Sequence, residues 1–460
     1  MGFADAYLRK AGLRELLINT DPHPDLKIIV TIPVHKESGL ERCLDSLFLC
    51  VKGGNPPSAE TGHDHLPFHV EVLILVNASE KASEAVLEQN RVTLEATRSW
   101  IAGHSHPSIG FHAWMDHRFP AKEAGVGLAR KILMDEAVRR FSTAGNPGGI
   151  IASLDADVVV DPNYLEALGT HFEDSDTDGC SIYFEHPLSP ELSPFESFEP
   201  GVYDAITQYE LHLRYYLNAV RSTGYPYAYH TVGSSFAVRA DVYCKEGGMN
   251  RRQGGEDFYF IQKVAQRGNF SECNATRVVA SPRPSDRVPF GTGPVVEKYV
   301  REQAVQTSEQ SQLTTYHPEP FGMLARFFSG IDSMYGNPAD GSATETTIDS
   351  STGSAHLTQE PVLTEFLESQ DFNAALAEIR GNSASLPAFR KRFWRWFNMF
   401  RIMKFLHYAR ARGYPDVGVG IAAFDLLAQI SPGKTKRPAI HPGLNKMLQL
   451  YRQQDRSNQF

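Results

Sequence analysis

One stretch, residues 149–165, constrains this chain more than any other. A short apolar run, 150–154, follows Pro147-Gly148-Gly149 and is typical of a strand buried on both faces, as in parallel sheets. The run ends in Asp155 and Asp157, which are two residues apart, so in extended geometry both carboxylates leave the backbone on the same side. Ligands of open α/β sheets bind just outside the carboxyl ends of strands. The acidic pair therefore lies where a ligand is expected.

The same pair has a plainer interpretation. Asp155 and Asp157 can be turn formers after a core strand, since a bare Asp-x-Asp occurs in many proteins. Further along, Asp161 predicts a helix N-cap and Pro162 the first helical residue, which would complete a strand-loop-helix unit. The remaining segments decide between the two interpretations.

Length and composition limit the class of protein. With 460 residues, the chain exceeds what one core usually serves, so we expect two domains or one large domain with an extension. A net charge of −9 argues against a surface that binds nucleic acid across the whole protein. Five cysteines without a Cys-x-x-Cys pair suggest free thiols in a reducing compartment. Residues 1–20 have no signal-peptide core and no apolar run reaches bilayer length, so we expect a cytoplasmic protein.

The first third of the chain predicts a Rossmann-like sheet. Residues 27–33 form a buried strand pattern that runs into 34–37, and residues 40–50 have helical spacing. A second strand pattern covers 70–76 and is followed by a helical pattern over 80–102. Two parallel strands with a helix between them favour a right-handed crossover.

Small residues mark the next helix start. Residues 122–131 contain Gly125 and Gly127 and lead into an amphipathic helix. The small side chains would let backbone amides and the basic Arg130 or Lys131 approach a ligand. A helix start that is only made more flexible by its glycines, with no ligand nearby, explains the segment equally well.

Two later segments carry residues suited to chemistry. A glycine-rich loop over 247–255 precedes Glu256-Asp257, which predicts a helix that runs to about residue 268. Acids in a first helical turn also suit the helix dipole, so the pair has a structural explanation too. The irregular segment 281–293 contains Arg283 and Arg287, whose guanidinium groups match phosphate oxygens.

The C-terminal third differs in character. Residues 336–361 are rich in Gly, Ser, Thr and Asp, and we expect a flexible loop there. Residues 385–412 interleave aromatic and basic side chains. That pattern fits either a helix packed on its own domain or one lying on an anionic membrane surface, so peripheral membrane association is an open alternative.

Taken together, residues 25–290 resemble the glycosyltransferases of the GT-A fold, particularly the large family-2-like group. The resemblance rests on the strand end 31–37, the metal-binding Asp-x-Asp pattern in 154–157, and the glycine turn 247–249 followed by 255–257. It implies an α/β fold with a mixed, mostly parallel, Rossmann-like sheet flanked by helices, followed by a mainly helical C-terminal extension. It suggests the divisions 1–24, 25–295 and 296–460.

The resemblance also implies roles for particular residues. Asp157 would bind a Mn²⁺ or Mg²⁺ ion directly, Asp155 would bind ribose or metal-bound water, and a third ligand would be His317 or His230. Asp257 would be the general base, with Glu256 positioning the acceptor. The remaining donor contacts would be Pro33, His35, Glu37, Asn77, Arg130, Arg283 and Arg287. Family members often have acids where this chain has Asn77, so its nucleotide base need not be uracil.

The expected activity is metal-dependent transfer of a hexosyl group from a UDP- or GDP-linked sugar to a hydroxyl acceptor, with inversion. A pyrophosphate leaving group has to be stabilised, and a divalent cation held by carboxylates does so. One alternative is an inactive sugar- or partner-binding module. Another is a sugar-nucleotide pyrophosphorylase, which would need a glycine-rich phosphate loop after the first strand, where this chain has 33–37.

Overall fold

The computed structural model describes residues 2–12, 17–52, 66–174, 176–285, 287, 291–305, 312–336, 360–430 and 443–457. The chain divides into two compact units. Unit 1 consists mainly of Met1–Ile206 and Tyr229–Arg301, with Asp455–Ser457. Unit 2 consists mainly of Thr207–Ala228 and Glu302–Gln454. The loop expected over 336–361 falls almost entirely outside the described residues.

Unit 1 is built on one eight-stranded sheet. Its strands are β1 (Leu26–Val34), β2 (His69–Ser79), β3 (Ile109–Phe119), β4 (Ile150–Ser153), β5 (Val158–Val160), β6 (Gly179–Glu185), β7 (Phe236–Arg239) and β8 (Phe270–Ala280). Their order across the sheet is β3-β2-β1-β4-β7-β6-β8-β5. The pairs β1–β2, β2–β3, β1–β4 and β6–β8 are parallel, and the pairs made by β7 and β5 are antiparallel. The predicted fold class, a mixed and mostly parallel sheet, is confirmed.

Helices cover the sheet and connect its strands. In chain order the first nine are α1 (Asp5–Ala11), α2 (Leu40–Leu49), α3 (Glu84–Gly103), α4 (Val126–Thr143), α5 (Tyr164–His171), α6 (Pro200–Ser222), α7 (Ala240–Lys245), α8 (Glu256–Ala265) and α9 (Thr292–Val305). α4 packs on β1 and β2, and α3 packs on β2 and β3. α6 and α9 each continue from unit 1 into unit 2.

The central strands form the core of unit 1. Ile28, Val30 and Ile32 of β1 are fully buried, and so are Ile29 and Thr31, whose side chains leave the opposite face. β2 is buried along nine consecutive residues. Burial on both faces explains why the sequence shows a continuous apolar run here rather than alternation. Because β1 pairs in parallel with both β2 and β4, the carboxyl ends of these three strands lie at one edge of the sheet.

One local prediction in unit 1 is wrong. Asp161 does not cap the helix that follows it: α5 begins at Tyr164, and the Asp161 carboxylate accepts hydrogen bonds from Arg277 at 2.9 and 3.1 Å. Residues 158–160 form the separate strand β5, which pairs with β8. The backbone N–H of Asp161 donates to the carbonyl oxygen of Arg277 at 3.0 Å, which extends the ladder to Asp161, and residues 162–163 form a turn before the helix starts.

Unit 2 is mainly helical. Its elements are the remainder of α6 and α9 and the following: β9 (Thr314–Thr315), α10 (Glu319–Ser329), α11 (Pro361–Ser369), α12 (Phe372–Gly381), α13 (Leu386–Trp396), α14 (Met399–Arg410), β10 (Val417–Gly418), α15 (Val419–Ile430) and most of α16 (Leu444–Ser457). β9 and β10 pair in an antiparallel ladder. None of the described helices is long and apolar enough to cross a bilayer.

The basic and aromatic segment 385–412 packs on its own unit. Phe389, Phe393 and Phe397 are fully buried, and the ring of Phe393 lies 6.2 Å from that of Phe327 in α10. The apolar side of α13 is thus used inside unit 2, while basic side chains such as Lys391 remain exposed. Membrane contact through this segment stays a prediction.

Candidate functional site

The carboxyl end of β1 leads into a buried carboxylate. Glu37 is 1% exposed and directly follows a non-glycine residue with positive φ, Lys36 at 51°. Its side chain accepts hydrogen bonds from Arg283 and, at 3.0 Å, from Nη1 of Arg287. Burial raises the pKa of Glu37, but the hydrogen bonds and charge of Arg283, with Arg287, outweigh burial and lower it overall. Glu37 is therefore an ionised group that holds two arginines.

The same two arginines reach the strand-end acids. Asp157 accepts hydrogen bonds from Nη2 of Arg283 at 2.9 Å and from Nη2 of Arg287 at 3.1 Å. Arg283 and Arg287, predicted as phosphate contacts, thus join Glu37 to Asp157. The Nε of Arg283 is buried and has no hydrogen-bond partner among the described residues.

Asp155 binds a different arginine. Nη2 of Arg130 lies 2.5 Å from Oδ1 of Asp155, and Nη1 of Arg130 donates to Glu256. The third nitrogen, Nε, donates to Oγ of Ser153 at 3.0 Å. Burial raises the pKa of Asp155, Arg130 opposes that rise, and the charge of Asp157 adds to it. The sequence placed Arg130 at a ligand, whereas the structure buries it to 2% exposure among side chains of the protein.

The pair Glu256-Asp257 opens α8, as predicted. Gly255, with φ of 70°, turns the chain into the helix, and Nδ2 of Asn250 donates to the carbonyl oxygen of Glu256 at 3.1 Å. Glu256 is buried and Asp257 is half-buried. Burial and the neighbouring charge of Glu256 raise the pKa of Asp257 from 3.8 to about 7, against the lowering effect of Arg130. A carboxylate with a pKa near neutrality can accept a proton at physiological pH.

The glycines at the start of α4 allow the backbone of another loop to approach the helix closely. A Cβ on Gly127 would lie 2.1 Å from the carbonyl oxygen of Arg252, and one on Gly125 would lie 2.9 Å from Cα of Gln253. The small residues therefore make room for the loop that precedes Glu256. The interpretation in which they let amides approach a ligand stays a prediction.

A buried asparagine holds the end of β1 against β2. Nδ2 of Asn90 donates to the carbonyl oxygen of Asn77 at 3.0 Å, and Oδ1 of Asn90 accepts from the backbone N–H of Lys36 at 3.0 Å. Nδ1 of His35 lies 2.9 Å from the same Asn77 oxygen. Asn90 is fully buried. The sequence gives no sign of this burial, because Asn90 is a single polar residue within a helical pattern. The predicted donor contacts His35 and Asn77 are thus adjacent.

The remaining predicted residues are less closely tied to this site. Pro33 lies within β1, paired with Leu75 of β2, one residue before the strand ends. His317 belongs to unit 2, where its Nδ1 accepts from the backbone N–H of Glu319 at 3.1 Å. His230 lies in unit 1, with Nε2 at 3.6 Å from Oδ2 of Asp455. The role of both histidines as metal ligands stays a prediction.

The acidic pair fits a hard divalent cation. Within the described parts of the chain, no three His, Cys, Asp or Glu side chains gather as a metal site. Mg²⁺ and Mn²⁺ take oxygen ligands, and Mg²⁺ commonly binds through one or two carboxylates while phosphate and water supply the rest. Asp155 and Asp157 provide such a carboxylate pair at a strand end.

Comparisons with known proteins give weak likenesses. The chain matches no protein-family model and no curated protein. It is similar to the structure of S. aureus TarS 1–349 in complex with UDP-GlcNAc, at 12% identity and a TM-score of 0.37, over 91% of this chain and 98% of that one. It is also similar to the mannosyltransferase PcManGT from Pyrobaculum calidifontis in complex with GDP-Man and Mn²⁺, at 15% identity and a TM-score of 0.34, over 85% and 94%.

A longer chain of S. aureus TarS is matched at 13% identity and a TM-score of 0.31, over 84% of this chain and 53% of that one. This chain therefore spans about half the length of that structure. The function proposed below rests on the geometry of the site.

Proposed function

We propose that this chain is a glycosyltransferase that moves a sugar from a UDP- or GDP-linked donor to a hydroxyl acceptor, with inversion. One observation carries the proposal. Asp155 at the end of β4 and Glu256 at the start of α8 accept hydrogen bonds from the same guanidinium group, although about a hundred residues separate them in sequence. This shared contact supports the proposal that the strand-end acids and the Glu256-Asp257 pair act in one site.

The reaction requires a base on the acceptor side. In an inverting transfer the acceptor oxygen attacks the anomeric carbon while the bond from that carbon to the donor phosphate oxygen breaks. The acceptor proton passes to the base, and the nucleoside diphosphate leaves with the bonding electrons. Asp257 is the proposed base because its raised pKa suits proton acceptance near neutral pH. Glu256 would orient the acceptor from beside it.

The donor side requires positive charge against the diphosphate. Asp155 and Asp157 would hold a Mn²⁺ or Mg²⁺ ion, which supplies charge stabilisation to the leaving phosphates when bound. Arg283 and Arg287 have planar guanidinium groups that match phosphate oxygens, and both already lie at Asp157. Pro33, His35, Glu37 and Asn77 line the neighbouring strand ends of β1 and β2 and would form the nucleotide side of the site.

The alternatives are less well supported. A pyrophosphorylase would need a glycine-rich phosphate loop after β1, but the turn there is made by Lys36, and the carbonyl of Glu37 is held by Oγ1 of Thr93. An inactive binding module has no need of a carboxylate whose pKa is raised beside a second acid, yet Asp257 is such a group.

Thermal unfolding and product analysis test the proposal. UDP and GDP are each added to the full chain with Mn²⁺ or with EDTA, and UDP-glucose, UDP-GlcNAc and GDP-mannose are incubated with it to detect release of the nucleoside diphosphate. We expect one nucleotide to raise Tm in a Mn²⁺-dependent manner and the matching sugar nucleotide to be turned over. Binding without turnover would favour the inactive module, and the absence of both would refute the proposal.

A further inference from the structure

Arg130 is an unusual residue because it is a buried cation placed among three acids. Its side chain is 3% exposed, and all three guanidinium nitrogens have protein partners: Ser153, Asp155 and Glu256. Asp257 adds a third negative charge nearby. Burying a charge is costly unless its partners are well placed. The arrangement therefore joins the end of β4 to the start of α8 through one planar group.

We propose that Arg130 is a positioning residue, which fixes the Glu256-Asp257 pair relative to Asp155 without touching donor or acceptor. This inference rests on the proposed function, in which Asp257 is the base. The sequence does not distinguish a positioning role of Arg130 from direct contact with the ligand, because either role needs a cationic side chain at the start of a helix.

The orientation of Arg130 is fixed from several sides. Oγ of Ser153, which accepts from its Nε, itself donates to the carbonyl oxygen of Gly233 at 2.8 Å. A Cβ on Gly233 would lie 2.8 Å from Nη2 of Arg130, so the backbone passes directly against the guanidinium group. A fork held in this way allows little rotation. The carboxylate of Glu256 is therefore bonded to a rigid donor, and Asp257 is the next residue in the chain.

The same helix also contacts the Glu256 segment a second time. Gly127 of α4 lies against Arg252, and a Cβ there would be 3.1 Å from that of Glu256. α4 thus contacts the segment that carries the base at two positions, Gly127 and Arg130, which are three residues apart on one face of the helix. Two contacts with one helix fix both the position and the orientation of the Glu256 segment, whereas a single ion pair would let the segment rotate about that contact.

A second buried arginine in α4 provides a matched control. Arg140 is 1% exposed and binds the buried carboxylate of Glu71 in β2, with Nη1 donating to the carbonyl oxygen of Thr20 at 2.9 Å. Arg140 has the same residue type, helix and burial as Arg130, but no partner in the proposed site. If Arg130 only stabilises the fold, substitutions at the two positions will act alike.

The experiment compares R130K, R130Q, R140K and R140Q in the full chain, with each variant assayed well below its own Tm. Binding of UDP and GDP with Mn²⁺ is measured by calorimetry, and kcat is measured on the sugar nucleotide that the wild type turns over. We expect R130Q to lower kcat about 100-fold, the effect of a misplacement of about 1 Å. Nucleotide affinity should change far less than kcat, and R130K should recover part of kcat. The Arg140 variants should lower Tm and keep kcat.

Backbone hydrogen exchange of residues 255–259 gives a readout that needs no substrate. R130Q should speed exchange there, and R140Q should not. Equal effects of the two substitutions on kcat, or unchanged exchange in R130Q, would overturn the positioning role. If the wild type neither binds a nucleotide nor turns one over, the proposed function fails, whereas the exchange comparison still decides whether Arg130 positions the segment.

Discussion

Replacing Gly127 by alanine should lower turnover although it places a better helix former inside α4. In an exposed helix interior, glycine to alanine gains about 1 kcal/mol. At this position the new Cβ would lie 2.1 Å from the carbonyl oxygen of Arg252, whereas real Cβ atoms essentially never approach within 3.0 Å. The clash is with backbone, so no side chain can rotate away from it.

The geometry sets the magnitude. The loop at Arg252 has to retreat by about 1 Å, which is the difference between the two distances. Such overpacking typically costs 1–3 kcal/mol, so the helix gain of about 1 kcal/mol is cancelled or exceeded. Because α8 begins at Glu256, only four residues after Arg252, a displacement of the loop also displaces Asp257. A misplacement of about 1 Å at a reacting group can cost about 100-fold in rate.

The assay measures kcat with the active sugar nucleotide, together with the midpoint of urea unfolding. Gly103 of α3 is the matched control, since it is helical, lies in unit 1 and has nothing within 4 Å of its Cβ position. Gly103→Ala should leave kcat unchanged. A Gly127→Ala variant that gains stability and keeps wild-type kcat would refute the coupling between the α4 start and the base.

Three further outcomes are expected. Asp257→Asn should abolish turnover and keep nucleotide binding. Because the folded pKa of Asp257 is raised, the stability from its bound proton is present below pH 3.8 and lost as pH rises through about 7, so the Tm of the variant relative to the wild type should rise between about pH 4 and pH 7 and then level off. Asn90→Ala removes the hydrogen bond that holds Lys36 and should cost about 1–3 kcal/mol in urea unfolding and raise the KM for the donor. Phe393→Ala should cost about 3–5 kcal/mol because its ring is fully buried, while Phe400→Ala, at a residue 36% exposed, should cost far less.

Local patterns predicted the elements that carry the acids. β4 and α8 were correctly expected, because an apolar run after glycines and the periodic start of a helix are patterns of residues adjacent in sequence. β5 was missed because Val158–Val160 is only three residues long and depends on pairing with β8, more than a hundred residues away. A segment this short has no pattern of its own, so only the fold makes it a strand.

The partners of the arginines could not be predicted. Residue type suggested that Arg283 and Arg287 bind phosphate and that Arg130 lies at a ligand, since a guanidinium group matches phosphate and carboxylate oxygens equally well. The structure places Arg130 on Asp155 and Glu256, and this follows from the approach of β4, α4 and α8, which no local pattern encodes. The close approach of the glycines at the start of α4 to the backbone of Arg252 and Gln253 could not be predicted for the same reason, because that loop is distant in sequence.

The charges of the site themselves favour a divalent cation. Five carboxylates and three guanidinium groups meet here, which leaves an excess of negative charge: Glu37, Asp155, Asp157, Glu256 and Asp257 with Arg130, Arg283 and Arg287. A nucleoside diphosphate would add more negative charge to the same place and would be repelled unless a cation entered with it. Nucleotide and Mn²⁺ should therefore bind with positive coupling, each raising the affinity for the other about tenfold or more in calorimetric titrations. Independent binding of the two would show that Arg283 and Arg287 alone carry the phosphate charge, and the assignment of a cation to Asp155 and Asp157 would have to be abandoned.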